Sequence, residues 1–158
     1  VKIYFALIVR NEAAVIRRCL DSLLPVKPDG ILIHDTGSTD GTLDVIQSWI
    51  DQVPGVPVGL ESIEWENFAA ARTELLWWAN KQTTHVDAYV WMIDADDVLV
   101  FGGENPAEDI RAQLASMPDI ADVPIHYGTL RYTRPQITRN NRLWRYLCPV
   151  HEFLEIPP

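Results

Sequence analysis

Apolar and polar positions along the chain alternate between two periods. Residues 3–9, IYFALIV, form a short apolar run, and RNEAAVIRRCLDSLLP then places Ala14, Ile16, Cys19, Leu20, Leu23 and Leu24 at helical spacing until Pro25 stops the pattern. GILIH, residues 30–34, reads as a second strand, DTGSTDGT as a turn, and LDVIQSWI as a helix with Leu43, Ile46 and Ile50 on one face. VPVGLES, residues 56–62, predicts a third strand despite its proline. NFAAARTELLWWANKQT predicts a helix capped by Asn67, with Phe68, Leu75, Leu76 and Ala79 turned inward. AYVWMID is the fourth strand, and its continuous apolar run is that of a strand covered on both faces. NPAEDIRAQLAS predicts a helix from about Pro106, and ADVPIHYG, TLRYTR and NRLWRYL show the two-residue period of strands. The fold class expected is α/β: an αβα sandwich on a mostly parallel sheet, with a mixed or antiparallel C-terminal portion.

Composition narrows this. With 158 residues, 47% of them hydrophobic, the chain is sized for one domain spanning residues 1–158 with a substantial core. The start at Val1 and the finish at EIPP suggest either a fragment, truncated at the C-terminus, or a processed chain. No apolar window of about 18 residues is present, so no transmembrane segment is expected. The net charge of −9 argues against a nucleic-acid partner. Arg131, Arg134, Arg139, Arg142 and Arg145 nevertheless make the last third locally basic, which suits a small anionic ligand and suits a solvated strand face nearly as well. Two cysteines are too few for a disulfide scaffold, and a reduced, cytoplasmic setting is expected. Oligomeric state is not legible.

Candidate chemistry gathers where strands end. In open α/β sheets ligands bind outside the carboxyl ends of the strands, and polar groups recur there: Arg10-Asn11-Glu12, Asp35 to Asp40, Glu61, and Asp94 to Asp97. Three carboxylates within Asp94-Ala95-Asp96-Asp97 repel one another and call for a counter-charge. A charged turn satisfied by backbone and water is one reading. The other is a hard divalent cation, Mg²⁺ or Mn²⁺, with Asp96 as first ligand and Asp94 reaching it through water or holding a sugar hydroxyl. His151, beside Glu152, is either a structural histidine or a further ligand. The segment around Gly37 and Gly41 is a tight turn leading to a helix capped by Ser38, Thr39 or Asp40. It matches neither a dinucleotide fingerprint nor a phosphate loop, and Asp35 there suits a base or ribose. Arg72 or Arg142 would supply bidentate donors to a diphosphate, although Arg72 reads equally well as a helical arginine paired with a carboxylate. Trp65 is a possible sugar-stacking residue, with a packing role favoured.

The ordered blocks IVRNEAAVIRRCLDSLLP, ILIHDTGSTDGTLDVI, WENFAAARTELLWWA, VWMIDADD and RLWRYLCPVHEFL resemble those of the family 2 glycosyltransferases of GT-A fold, in particular the subgroup whose catalytic core ends in a His-Glu pair. The resemblance implies transfer from a nucleotide-diphospho-sugar, preferably a UDP-sugar, usually with inversion and with Mn²⁺ or Mg²⁺. The family's acidic motif falls on Asp94, Ala95 and Asp96. Its nucleotide-binding positions fall on Asn11, Glu12 and Asp35, with Thr36 where many relatives carry a second aspartate. Its asparagine and arginine fall on Asn67 and Arg72, and its late histidine on His151. Glu108-Asp109 comes too soon after Asp96 for the family's general base, which leaves Asp97, Asp122 and Glu152 as candidates. The acceptor, whether saccharide, peptide or protein, or lipid-linked, is open. Two other readings are a donor-binding domain without turnover and a sugar nucleotidyltransferase, the latter disfavoured because VRNEAAVIRR lacks the glycines that class needs.

Overall fold

The computed structural model describes residues 1–83 and 87–156. In chain order the elements are β1 (Lys2–Val9), α1 (Ile16–Leu23) with a 3-10 turn at Leu24–Val26, β2 (Gly30–Asp35), α2 (Thr42–Gln52), β3 (Val58–Ser62), α3 (Phe68–Gln82), β4 (Ala88–Met92), α4 (Pro106–Ala115), β5 (Ile120–Tyr127), β6 (Leu130–Arg139), β7 (Arg145–Leu147) and β8 (Phe153–Glu155). The main sheet runs β3-β2-β1-β4-β6-β5. The first four of these are mutually parallel, and β6 is antiparallel to both β4 and β5.

Side chains alternate across the strands and divide the core in two. Ile3, Phe5, Leu7 and Val9 of β1 join Ile31 and Ile33 of β2 and Tyr89 and Trp91 of β4 under Ile16, Leu20 and Leu23 of α1 and Ile46 and Trp49 of α2. On the other face Ala6, Leu32, Val90 and Met92 meet Leu75, Leu76 and Ala79 of α3, together with Trp144. Asn67 caps α3 as expected, its Oδ1 accepting from the Ala70 N–H at 2.9 Å. The start of α2 differs in detail from expectation. Gly41 precedes the helix at φ +90°, and the Asp40 carboxylate accepts from Thr42 N at 3.0 Å.

The expectation that NRLWRYL extends the main sheet does not hold. Trp144 is buried, and its indole N–H donates to Arg139 O at 2.7 Å, which turns the chain away from β6 and over α3. There the Thr73 hydroxyl accepts from Tyr146 N at 2.8 Å. A helix side chain thus takes a backbone group of β7 that a sheet neighbour would otherwise have taken, and β7 pairs only with β8 as a separate two-stranded ribbon. Among the described residues no helix is long and apolar enough to cross a membrane.

Candidate active site

Because β1 to β4 are parallel, the segments that follow Val9, Asp35, Ser62 and Met92 emerge at one edge of the sheet. The first two interlock. Asn11, at φ +56°, donates from its backbone N–H to Ser38 Oγ at 2.9 Å and accepts from Thr39 N at 2.7 Å. Glu12 N donates to Thr42 Oγ1 at 2.8 Å, and Ala13 N to Asp40 Oδ2 at 3.1 Å. Asp35 is 2% exposed and receives the Gly37 N–H at 3.0 Å and the Ser38 N–H at 3.2 Å. Thr36 is buried with its hydroxyl on Val9 O at 3.2 Å. Asn11, Asp35 and Thr36 therefore shape the loop through their side chains, with Gly37 at φ +97° allowing its reversal. A carboxylate has lone pairs beyond those two N–H contacts, so Asp35 keeps capacity for a further donor.

The acidic loop begins as β4 ends. Ile93 N still donates to Ala6 O at 3.0 Å, and Asp97 N closes a turn onto Asp94 O at the same distance. Helix α1 supports the loop from below, Arg18 Nη2 donating to Asp96 O at 3.1 Å and Cys19 Sγ to Asp94 O at 3.6 Å. The Asp94 side chain is held by two arginines, Arg72 Nη2 at 2.7 Å from Oδ1 and Arg134 Nη2 at 2.9 Å from Oδ2. Arg72 also places Nε 3.2 Å from Glu152 Oε1. The N–H is not aligned for a hydrogen bond, so that contact is an ion pair. Asp97 Oδ2 lies 3.7 Å from Arg134. Charges thus alternate in a chain, Asp97, Arg134, Asp94, Arg72, Glu152, that ties the loop to β6, to α3 and to the turn before β8.

The acid–base consequences differ along the loop. Burial pushes the Asp94 carboxyl up, but Arg72 and Arg134 outweigh it and the net shift is downward. Asp97 is raised, by burial first and then by Asp94, with Arg134 opposing. Glu12 is raised by burial and then by Asp96 and Asp40. The Cys19 thiol is pushed up to about 12 by burial and then by Asp97, Asp96 and Asp94, the same crowd of negative charge acting from the other side.

Between this loop and the turn before β8 lies a cleft of about 440 Å³ lined by Ile8, Glu12, Phe68, Arg72, Asp94, Ala95, Asp96, Pro149, Val150, His151 and Glu152. Glu12, Arg72, Asp94, Ala95, Asp96, His151 and Glu152, read separately from the sequence, thus line one cleft. His151 reaches the wall from a backbone at φ +56°. Asp96 is exposed, and its carboxylate makes no hydrogen bond among the described residues. Among those residues no three His, Cys, Asp or Glu side chains are gathered into a metal cage. The reason at Asp94 is plain, since an arginine already occupies each of its oxygens. Of the donors in the cleft, a free aspartate suits either Mn²⁺ or Mg²⁺, whereas an imidazole suits Mn²⁺ better than Mg²⁺, which prefers oxygen ligands. Mg²⁺ in particular usually takes only one or two carboxylates and completes its shell with water and substrate phosphate.

Other expected residues stand elsewhere. Arg142 is at the opposite edge of the sheet, hydrogen-bonded to Asp119 and over the Trp144 ring at 5.3 Å, because β6 runs antiparallel and carries its C-terminal end toward the start of β4. Asp122 is exposed on the outermost strand, β5, two strand spacings or roughly 10 Å to the side of β4. Glu61 is on the other outer strand, three spacings or roughly 14 Å from β4. Asn67 is not in the lining of the cleft, and its amide group is spent on the α3 cap and on Glu66. The sequence reading missed Arg134 and Arg18 as partners of the loop. The run of late arginines was visible, but which of them reaches Asp94 depends on the register of β6.

Residues 4–102 match the family described as Glycosyl transferase family 2, well over half of the chain. The chain belongs to that family. A search of curated proteins returned no match. Among solved structures, the mannosyltransferase PcManGT from Pyrobaculum calidifontis, in complex with GDP-Man and Mn²⁺, is 22% identical, with a TM-score of 0.58 over 77% of this chain and 34% of that one. TarS 1-349 of S. aureus in complex with UDP is 20% identical, with a TM-score of 0.56 over 73% of this chain and 32% of that one. A second structure of TarS 1-349 gives 18% and 0.52 over the same shares. These likenesses show the fold, an α/β GT-A-like domain with antiparallel C-terminal strands. The chain spans about a third of the length of these proteins.

Proposed function

We propose that this chain is the donor-binding and catalytic domain of a metal-dependent glycosyltransferase, moving a sugar with inversion from a nucleotide-diphospho-sugar to an acceptor hydroxyl. The observation that carries the proposal is the cleft at the carboxyl edge of the parallel strands, where Glu12, Arg72, Asp94, Asp96, His151 and Glu152 converge. Family membership supports it, as do the GDP-Man, Mn²⁺ and UDP named with the similar structures. A UDP-sugar is the preferred donor.

Each residue has a part that its surroundings allow. The nucleoside end lies over the interlocked loops of Asn11 and Asp35 and extends toward Glu61, so the diphosphate falls between Glu12 and the acidic loop. Asp96 and His151 would hold Mn²⁺ or Mg²⁺, which when bound offsets negative charge on the departing diphosphate. Asp94, kept ionised by Arg72 and Arg134, holds a sugar hydroxyl while it fixes the loop. Glu152 orients Arg72, and through its neighbour it sets where His151 stands, the part assigned to the His-Glu pair. Among the candidates for the base that deprotonates the acceptor, Asp97 is preferred. It sits on the acidic loop, its carboxyl is raised by burial, and its contact with Arg134 is loose. Glu152 is committed to Arg72, and Asp122 is two strands away.

Calorimetric titration with UDP and GDP, each with Mn²⁺, Mg²⁺ or excess EDTA, tests the reading on the unaltered chain and on Asp96→Ala and His151→Ala. Binding that requires the metal and is lost in Asp96→Ala is expected. A folded sample that binds neither nucleotide under any of these conditions would sink it.

A further inference from the structure

Arginines from three different elements touch the acidic loop, and their remaining capacity differs. Arg72 is spent, with Nη2 on Asp94, Nε beside Glu152, the Tyr146 ring 5.8 Å away and a side chain 11% exposed. Arg18 lies exposed on α1 and donates to a backbone carbonyl of the loop. Arg134 is different again. Its Nη2 holds Asp94 at 2.9 Å and stands 3.7 Å from Asp97, too far for a hydrogen bond, and its side chain is 37% exposed. Its Nε and Nη1 make no hydrogen bond among the described residues, so most of a fork of five N–H donors stays open.

The backbone explains why this arginine and no later one arrives there. Ile137 to Arg139 pair with Trp91 to Tyr89, so the antiparallel β6 carries residue 134 beyond the carboxyl end of β4. The β5–β6 register then shifts where Ala121 faces Ile137 and Asp122 faces Pro135. A proline cannot donate to the ladder, and such an irregularity re-aims neighbouring side chains.

We propose that Arg134, which adjoins the cleft through Asp94 rather than lining it, is a phosphate-binding residue at the margin of the substrate site, keeping Asp94 while it exchanges its loose contact with Asp97 for a phosphate oxygen. The inference rests on the nucleotide-sugar reading above. A guanidinium stays charged at any working pH and matches phosphate oxygens in a planar, two-point fashion. It also counters the repulsion that Asp94, Asp96 and Asp97 exert on an approaching anion. The phosphate is either the β-phosphate of the donor's diphosphate, which UDP carries and UMP lacks, or one carried by the acceptor, and the two are separable.

The test is calorimetry with Mn²⁺ on the unaltered chain, Arg134→Gln, Arg134→Lys and, as a control for charge lost at the far end of the same strand, Arg139→Gln. UDP and UMP are titrated first, and inorganic phosphate is then added to UDP-saturated protein. Loss of one charge-assisted contact weakens binding about 10- to 100-fold. If the donor is the source, Arg134→Gln loses that factor for UDP while UMP is unchanged, and Arg134→Lys recovers part of it. If the acceptor is the source, UDP is unchanged and the binding of inorganic phosphate seen with the unaltered chain is lost in Arg134→Gln. Equal losses for UDP and UMP, or a melting temperature lowered well beyond that of Arg139→Gln, would show a structural role and overturn the inference. So would three unchanged titrations. If the unaltered chain binds no nucleotide, the underlying reading fails and takes the inference with it; if only the Arg134 variants match the unaltered chain, the inference fails alone.

Discussion

Acidification should destabilise this domain through one histidine. His34 lies near the carboxyl end of β2, 3% exposed, stacked on Trp78 with ring centroids 5.0 Å apart and 16° between planes. Its Nδ1 has no hydrogen-bond partner among the described residues, and Nε2 is 3.9 Å from a carboxylate oxygen of Glu61. Glu61 is 54% exposed, so solvent screens its pull and burial decides, lowering the imidazole pKa from 6.5 to about 4. The unfolded chain takes up this proton as pH falls through 6.5, whereas the folded chain refuses it until about 4. The contribution to stability is therefore whole above the unfolded value, shrinks across that interval and levels off below it. At about 1.36 kcal/mol per pH unit, the loss across the interval is roughly 3 kcal/mol. That is a large share of the 5–15 kcal/mol or so that holds a typical domain together. Urea unfolding followed by tryptophan fluorescence at several pH values between 7 and 4 measures it. His34→Phe keeps a flat ring against Trp78 and carries no titrating group, so the pH slope of the unaltered chain should exceed that of the variant by this amount. Parallel curves for the two proteins would refute the assignment of the proton to His34.

Three further outcomes are expected. Asp96→Asn should abolish metal-dependent UDP or GDP binding in calorimetry while changing unfolding free energy by no more than about 0.5 kcal/mol, since the side chain is exposed and makes no hydrogen bond among the described residues. Arg72→Met leaves Asp94 and Glu152 without their shared partner. It should cost about 1–3 kcal/mol in denaturant unfolding, less than the 3–5 kcal/mol or so of a fully buried pair because Asp94 is about one-third exposed. In the folded protein at neutral pH, iodoacetamide should label Cys148, which is exposed, and spare Cys19, which is buried with its thiol pushed up to about 12; mass spectrometry after brief labelling separates one adduct from two.

The parts of the site legible in the sequence were those that depend on short-range rules. Parallel strands joined by crossover helices bring every carboxyl end to one edge, so Glu12, Asp35, Glu61 and the acidic loop could be placed together without knowing any side-chain distance. The Asn67 cap is equally local, three residues from its donor. Arg142 reads from the sequence as a bidentate donor to a diphosphate, and it lies in the same basic stretch as Arg134. Only the antiparallel register of β6 separates the two, sending one past Asp94 and the other to Asp119.

By itself, then, the sequence determined the succession of elements as far as β7, the parallel core of the sheet and the family, because hydrophobic period, caps and turn residues act within a few positions along the chain. Tertiary structure alone decided that β7 leaves the sheet for α3, that His151 and Asp96 face one cleft, and that two arginines rather than one claim Asp94. Those outcomes follow from long-range pairing, in which a buried tryptophan and a bulged strand choose among registers that look alike in a list of residues.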